Sequence, residues 1–200
     1  KKQKLNTDAW YDGRLYDVLF SPLLVDLRKK ISHFIPAGRV LEIGCGTGEL
    51  AGYINTNAEY YGIDLSEKMI ERAKKKQIYT NATFILGDVF EYHPEKKFDY
   101  VVFSLLLHSI DNILAKKLLT WAKENSGNII IADYRIPQPD IPAGKVIIKI
   151  IEVLAGKDHY RCFKQYKINK GISFFIKGSV IKKNTEKNYG MFQIVKLGAG

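Results

Sequence analysis

The sequence VLEIGCGTGEL, residues 40–50, runs from a short apolar segment into three glycines at alternate positions. Acidic residues stand on both sides of the glycines, Glu42 before them and Glu49 after them. An apolar run that stops at closely spaced glycines is typical of a buried strand that turns sharply, because glycine adopts backbone angles that other residues avoid. The segment therefore predicts the first strand of an α/β sheet, with little side chain covering the turn at its carboxyl end.

Four further β-rich, mostly apolar runs follow this strand, and helix-like segments lie between them. The predicted strands are 39–44, 58–65, 82–89, 98–107 and 128–134. The predicted helices are 49–56, 66–76 and 112–125. Strict alternation of strand and helix predicts a parallel sheet with helices on both faces and right-handed crossovers.

The segments on either side of this alternating region have other patterns. Residues 14–35 are predicted to be helical, with a break or a new start at Pro22, and residues 135–144 hold three of the six prolines, which predicts a loop. The later predicted elements are an apolar helix at 145–155, a helical stretch at about 158–176, and an antiparallel hairpin of 179–184 and 191–197 with a turn near Glu186 to Gly190.

Length and composition predict one domain, residues 1–200, because 200 residues with 46% hydrophobic content can bury one sizeable core. We expect a helical cap at about 8–36 and an insertion after strand five at about 135–170. No run approaches the roughly 18–20 continuous apolar residues of a membrane span. The basic start KKQKLNTDAW has no apolar segment behind it, so it does not match a secretory signal, and we expect a cytoplasmic protein.

The net charge of +10 has two interpretations. It favours an anionic partner such as nucleic acid or a membrane surface, or it reflects a solvated lysine-rich surface, since the lysines are scattered along the chain. Cys45 and Cys162 are too few and too far apart for a disulfide framework, so free thiols are expected. No zinc motif is present, and no metal site is predicted.

The spacing of the glycines restricts the ligand of the turn. Dinucleotide-binding turns follow the pattern G-x-G-x-x-G, whereas this turn is G-x-G-x-G followed by Glu49, whose carboxylate would repel a pyrophosphate. Glu42 ends one strand, Asp64 ends the next, and Asp88 ends the third. A ligand with an ammonium, a sulfonium, ribose hydroxyls and an adenine amino group, but no phosphate, suits these acids. S-adenosylmethionine has that pattern.

The motifs VLEIGCGTG, YGIDLS, LGDVF and FDYVVFSLLLHSI resemble the successive motifs of the class I S-adenosylmethionine-dependent methyltransferases. The resemblance covers nearly the whole chain. It implies an α/β, Rossmann-like sheet of seven mostly parallel strands in the order 3-2-1-4-5-7-6, with the last strand antiparallel and helices on both faces. It also implies S-adenosylmethionine as the cofactor and S-adenosylhomocysteine as the product.

The resemblance further implies a set of cofactor-binding residues. Glu42, Gly44, Cys45 and Gly46 border or orient the methionine moiety, Asp64 binds the ribose, Leu65 and Met69 flank the adenine, Asp88 and Val89 hold its amino edge, and Ser104 lies below the sulfonium. The segment WYDGRLYDVLF resembles the start of the quinone and phospholipid-amine methyltransferases, and Tyr16 matches its tyrosine, which implies a residue that closes over the cofactor.

Several of these residues have a purely structural alternative. The glycines could form a tight turn without a ligand, Met69 could face the core, Asp64 could cap the helix that begins near Ser66, and Tyr16 could only dock the N-terminal helix. Candidate catalytic bases are His108, Asp133 and Tyr134 near the strand ends and His159 and Tyr160 in the insertion, with a structural histidine as the alternative for His108.

The predicted helix at 145–155 bears on the methyl acceptor. Lys145, Lys149 and Glu152 form one narrow polar stripe, which leaves a broad apolar face. That face is expected either to pack on the sheet or to wall a pocket for an apolar or lipid-like small molecule, and the lysines could attract an anionic membrane surface. The rival functions are an RNA or protein methyltransferase and a non-catalytic S-adenosylmethionine-binding protein. Strand four ends FSLLLHSI, not the Asn-Pro-Pro-Tyr type of nucleic-acid enzymes, so no obligatory nucleic-acid partner is expected.

Overall fold

The computed structural model describes residues 21–76, 81–177 and 182–198, and its centre is one seven-stranded sheet. The strands are β1 (Gly38–Ile43), β2 (Ala58–Asp64), β3 (Ala82–Leu86), β4 (Phe98–Ser104), β5 (Ser126–Tyr134), β6 (Lys182–Tyr189) and β7 (Phe192–Gly198). Their order is β3-β2-β1-β4-β5-β7-β6. Strands β1 to β5 are parallel, and β7 runs antiparallel to β5 and β6. The predicted order and the reversed last strand are confirmed.

Six α-helices and two short 3₁₀ turns accompany the strands in the described residues. They are α1 (Ser21–Ser32), α2 (Glu67–Lys76), α3 (Asn112–Asn125), α4 (Pro142–Leu154), α5 (Lys157–Ile168) and α6 (Ile172–Ile176), with 3₁₀ turns at Glu49–Tyr53 and Val89–Glu91. Helix α3 begins where predicted because the Asp111 side chain accepts hydrogen bonds from the backbone of Ile113 and Leu114, both at 2.9 Å. Among the described residues, none of the helices has the length and apolar character that a membrane-spanning helix needs.

Several predicted boundaries are wrong. Strands β3 and β4 end at Leu86 and Ser104, before the predicted 89 and 107, and α4 begins within the predicted loop 135–144. The helix expected at 49–56 is only the 3₁₀ turn, and the stretch expected at 158–176 is two helices separated where Lys170 and Gly171 take positive φ angles of 64° and 70°. The hairpin turn lies at Gly190, because β6 continues through the polar residues that were assigned to the turn. Polar side chains suit β6 because it is an edge strand of the sheet. Residues 8–20 of the expected N-terminal cap and Tyr16 lie outside the described residues.

The sheet separates two apolar cores. Alternate side chains of β1 enter different cores, with Leu41 and Ile43 on the face covered by α3, α5 and α6, and Val40 on the face covered by α1. Glu42 shares its face with Val40, so its carboxyl group is directed to the side of α1. This alternation places the carboxyl group of Glu42 inside the core on the α1 face of the sheet.

Helix α4 is oriented differently from the prediction. Its buried face carries Ile148 and Glu152, which are 4% and 0% exposed. Most of the apolar side chains that were expected to pack on the sheet or wall a pocket are instead exposed: Val146, Ile147, Ile150, Val153 and Leu154. The predicted polar stripe of Lys145, Lys149 and Glu152 is therefore wrong for Glu152, which has ionic partners in the interior.

Candidate active site

The glycine turn lies at the carboxyl end of β1 and is held to β2 by its backbone. The N–H groups of Gly44 and Cys45 donate to the carbonyl of Ile63, at 2.8 and 3.2 Å. Gly46 has a φ of 54°, and a Cβ built on it would meet no atom of the described residues within 4 Å. Gly48 has a φ of 73°, but a Cβ there would lie 2.5 Å from the Phe84 ring. Packing therefore requires Gly48, whereas Gly46 keeps a space open above the turn.

This difference gives a stability prediction for two alanine variants. Gly46→Ala should lower the free energy of unfolding by about 1–2 kcal/mol, the cost of a left-handed backbone for a residue with a Cβ. Gly48→Ala should lower it by roughly 1–3 kcal/mol more, because the methyl group also displaces Phe84. Urea denaturation of both variants measures the difference, and equal losses would contradict the open space above Gly46.

Asp64 connects the glycine turn to the start of α2. Its carboxylate accepts hydrogen bonds from the N–H of Gly46 at 2.9 Å and of Ser66 at 2.8 Å. Burial raises the pKa of Asp64, and these N–H groups oppose the rise. A carboxylate has about four acceptor positions, so both oxygens keep capacity for a further donor. Asp64 therefore does not cap α2, because the Ser66 hydroxyl accepts from the N–H of Met69 at 3.4 Å in the first turn of that helix, and the carboxylate of Asp64 has room for a ligand.

Glu42 is buried beside the same turn. It is 3% exposed, and the Tyr60 hydroxyl donates a hydrogen bond to its carboxyl group. Burial raises the pKa of Glu42 from 4.5 to about 8, although the Tyr60 hydroxyl and the charge of Arg28 both oppose the rise. Without a cationic ligand Glu42 is therefore mostly protonated at neutral pH.

The raised pKa of Glu42 makes stability depend on pH. Between pH 4.5 and 8 the unfolded chain loses this proton and the folded chain keeps it, so stability falls as pH rises, by up to about 1.4 kcal/mol per pH unit. Glu42→Gln keeps an acceptor for Tyr60 and removes the titration. Urea midpoints at pH 5.5 and 7.5 should therefore differ less in Glu42→Gln than in the parent chain. The exposed substitution Glu71→Gln serves as the control, and an equal pH response in all three proteins would contradict the assignment.

The remaining predicted cofactor residues lie around the ends of β1 to β4. Leu65 is 58% exposed beside Asp64, whereas Met69 is 8% exposed and contributes to the core, which was its structural alternative. The Asp88 carboxylate accepts from the N–H of Phe90 at 3.0 Å and begins the 3₁₀ turn that contains the buried Val89. Ser104 ends β4 and is half-buried.

Two further residues of the turn have described surroundings. Cys45 is a free thiol, as expected; it is 7% exposed, and burial raises the pKa of its thiol. Glu49 forms an ion pair with Lys76 at the end of α2. The repulsion that Glu49 was expected to exert on a phosphate is therefore weakened, and the case against a pyrophosphate depends on the glycine spacing.

A second group of ionisable side chains lies at the ends of β4 and β5. His108 donates through Nδ1 to Asp133 Oδ1 at 2.6 Å, and its backbone N–H donates to Asp133 Oδ2 at 3.2 Å. Its Nε2 is 3.5 Å from Glu152 Oε1, and His159 Nδ1 is 2.9 Å from Glu152 Oε2. The Tyr134 hydroxyl also donates to Glu152, at 3.1 Å. Four predicted catalytic candidates thus lie together, with His108, Tyr134 and His159 around a glutamate from α4 and Asp133 behind His108. We call His108, Asp133, Glu152 and His159 the buried cluster.

The charges of the buried cluster stabilise one another. Burial alone would lower the pKa of His108, but the carboxylates of Asp133 and Glu152 raise it above the usual value. Burial alone would raise the pKa of Glu152, but His108 and His159 bring it below the usual value. Both ring nitrogens of His108 face a carboxylate, which supports the structural alternative for His108. Aromatic rings of Tyr134, Phe163 and Tyr166 surround its imidazole.

The sequence did not reveal Glu152 as a member of this group. Helical periodicity placed it with Lys145 and Lys149, and those lysines are exposed. The one available signal was an acid within a strongly apolar helix of an insertion that also contains His159. A buried acid needs partners, and histidine is one of the few residues that can supply them.

The fold and the glycine turn define an α/β protein with a Rossmann-like sheet. A family model described as "Methyltransferase domain" matches residues 36–163. Since the match covers more than half of the chain, the chain belongs to this family. The resemblance drawn from the sequence motifs is confirmed at the level of the family.

Individual relatives are more distant. Malonyl-[acyl-carrier protein] O-methyltransferase 1 of Ilyobacter polytropus is 29% identical over 56% of this chain and 44% of that enzyme. Demethylmenaquinone methyltransferase of Staphylococcus aureus is 27% identical over 64% of this chain and 57% of that enzyme. The chain therefore aligns with only about half the length of these curated relatives.

Solved structures support the fold. The DhpI–SAH complex superimposes with a TM-score of 0.60 at 16% identity, covering 94% of this chain and 92% of DhpI. The plantazolicin methyltransferase BpumL, in complex with a monoazolic desmethylPZN analog and SAH, superimposes with a TM-score of 0.65 at 20% identity. This superposition covers 94% of this chain and 88% of that chain. At these identities the superpositions show a shared fold.

Proposed function

We propose that this chain is an S-adenosylmethionine-dependent methyltransferase that acts on a small-molecule acceptor. The observation that carries the proposal is the grouping of Asp64, Glu42 and the bare backbone at Gly46 around the ends of two neighbouring strands. Ligands of open parallel sheets lie at this edge. Membership in the methyltransferase-domain family supports the same reaction.

The residues of the turn fit the proposed cofactor. Asp64 retains acceptor positions for two ribose hydroxyls, and the space above Gly46 admits a ligand close to the backbone. Glu42, which is mostly protonated in the free protein, would ionise beside an ammonium group. We further propose Gly44, Cys45, Leu65, Met69, Asp88, Val89 and Ser104 as the rest of the site, with Tyr16 closing over it. When bound, S-adenosylmethionine supplies a methyl group activated by its positive sulfur.

On the side of the site that faces the methyl acceptor, the candidate residues are suited to positioning and not to acting as a general base. Both nitrogens of His108 are engaged by carboxylates, and Asp133 is completely buried. We propose that His108, Asp133 and His159 are positioning residues that hold α4 and α5 over the ends of β4 and β5. Methyl transfer is an in-line displacement, and alignment of two reactants alone supplies a large part of such a rate enhancement.

The acceptor is proposed to be an apolar or lipid-like molecule, and its delivery to involve an anionic membrane surface. Helix α4 exposes five large apolar side chains, and Lys145, Lys149 and Lys157 lie on or next to it. A cavity of about 290 Å³ between α4 and α5 is lined by Ile148 and Phe163 together with Lys145, Lys149, Lys164 and Lys167. Apolar area bordered by lysines is suited to an anionic amphiphile.

A transfer experiment separates this proposal from its rivals. The chain is incubated with S-adenosylmethionine labelled in its methyl group and with lipid, polar metabolite, RNA and protein fractions. Label in the lipid fraction supports the proposed acceptor class. Label only in polar amines, RNA or protein rejects that class, and cofactor binding by calorimetry without transfer to any fraction indicates a non-catalytic binder.

A further inference from the structure

The buried cluster brings two imidazoles and one carboxylate to a common point. His108 Nε2, a carboxylate oxygen of Glu152 and His159 Nδ1 all lie within 4.8 Å of one another. These atoms come from three different elements, the segment after β4, helix α4 and helix α5. His159 Nδ1 and Glu152 Oε2 form an ion pair at 2.9 Å, and neither buried atom has a further hydrogen-bond partner among the described residues.

The spacing of these atoms matches the donor spacing around a small divalent ion. Imidazole nitrogens and carboxylate oxygens bind Zn²⁺ at about 2.0–2.2 Å, so two donors of a tetrahedral site are roughly 3.3–3.6 Å apart. The distance from His108 Nε2 to Glu152 Oε1 is 3.5 Å. The shorter distance from His159 Nδ1 to Glu152 Oε2 would need only a small rotation of the half-buried imidazole.

The surroundings of these three residues have the features of a metal site's outer shell. Asp133 engages His108 Nδ1 at 2.6 Å, which fixes the ring and directs Nε2 toward Glu152. Metal-binding histidines usually donate their other N–H to a carboxylate in this way. The Tyr134 hydroxyl donates to Glu152 at 3.1 Å and orients that carboxylate. His159 has a side-chain exposure of 23%, which leaves a path for an ion from solvent.

We propose that His108, Glu152 and His159 bind one divalent transition-metal ion of the Zn²⁺ type. Two imidazoles and a carboxylate are a ligand set suited to such ions and unsuited to Ca²⁺ or Mg²⁺, which prefer oxygen ligands alone. Three protein ligands leave a fourth coordination position open. The three ligand residues lie near the ends of β4 and β5, beside Asp133 of β5.

Titration of the whole, chelator-treated chain with Co²⁺ tests the site, because tetrahedral Co²⁺ has visible absorption bands. One equivalent of Co²⁺ should bind and produce those absorption bands, and Zn²⁺ should displace it. Zn²⁺ should also raise the midpoint temperature of thermal unfolding. His159→Gln should weaken Co²⁺ binding by more than about 100-fold, and Asp133→Asn by about 10–100-fold as an outer-shell change. The matched control is His93→Gln, an exposed histidine whose substitution should leave the affinity unchanged.

Two results would overturn the proposal. One is the absence of stoichiometric Co²⁺ or Zn²⁺ binding by the parent chain, which would make the cluster an ion-pair network only. The other is an affinity that His159→Gln leaves unchanged. His159 is only partly buried, so its variant should fold even where Glu152→Gln does not, and circular dichroism verifies this. Because the titration uses neither cofactor nor acceptor, its outcome is independent of the proposed methyl transfer.

Discussion

Replacing Asp64 by alanine is expected to weaken binding of S-adenosylhomocysteine by about 100-fold, which corresponds to about 2.7 kcal/mol. The substitution removes the proposed acceptor for the ribose hydroxyls, and hydrogen bonds to a charged group contribute roughly 1.5–3 kcal/mol each. The substitution also removes the hydrogen bonds that the N–H groups of Gly46 and Ser66 donate to Asp64, at 2.9 and 2.8 Å. The turn therefore loses the bonds that fix its shape. Isothermal titration calorimetry measures the change.

Two matched variants make this result specific. Asp64→Asn keeps one acceptor oxygen and should lose less affinity than Asp64→Ala. Glu67→Ala removes an exposed acid three residues away, in the first turn of α2, and should leave the affinity unchanged. If Asp64→Ala binds within about 2-fold of the parent chain, Asp64 does not hold the ligand and the proposed site is wrong.

Replacing Asp133 by alanine is expected to lower the free energy of unfolding by about 3–5 kcal/mol, the range for removing one partner of a buried ion pair. Asp133 is completely buried and accepts hydrogen bonds from His108 Nδ1, from the backbone of His108 and from the backbone of Tyr134. The variant leaves all three donors without this acceptor and His108 without its closest counter-charge. Urea denaturation with a chelator present measures the loss independently of any metal.

The control for Asp133→Ala is an exposed ion pair. Asp26 lies 3.4 Å from Lys30 on α1 with 76% of its side chain exposed, so Asp26→Ala should change stability by less than about 0.5 kcal/mol. Asp133→Asn keeps an acceptor oxygen, so its loss in the free energy of unfolding should lie between the losses of Asp133→Ala and Asp26→Ala. A loss for Asp133→Ala as small as that for Asp26→Ala would show that the buried cluster does not hold the insertion to the sheet.

Local signals made much of the sheet predictable. The strands from β1 to β5 are short apolar runs, and α3 begins at the cap Asp111. Asp64 was located correctly at the end of β2, whereas Asp88 lies two residues beyond the end of β3 and begins a 3₁₀ turn. The glycine turn was predicted because alternate glycines are rare outside sharp turns. In each case one segment contained the whole signal.

The features that were missed depend on contacts between distant segments. Glu152 is buried because His108 and His159 meet it in space, and helical periodicity within α4 contains no trace of either. Strand β6 runs through Glu186 because pairing with β7 outweighs the polarity that indicated a turn. Likewise, the ion pair of Glu49 with Lys76 joins residues that no local pattern links. Tertiary contacts override local propensity at such positions.

The acidic, glycine-lined ends of β1 and β2 are proposed to hold a nucleoside with a positive charge and without phosphate. Calorimetric titration of the parent chain with S-adenosylhomocysteine and, separately, with NADH distinguishes this ligand from a dinucleotide. We expect one equivalent of S-adenosylhomocysteine to bind and no measurable heat with NADH. Tight binding of NADH, with no response to S-adenosylhomocysteine, would rule out the proposed ligand.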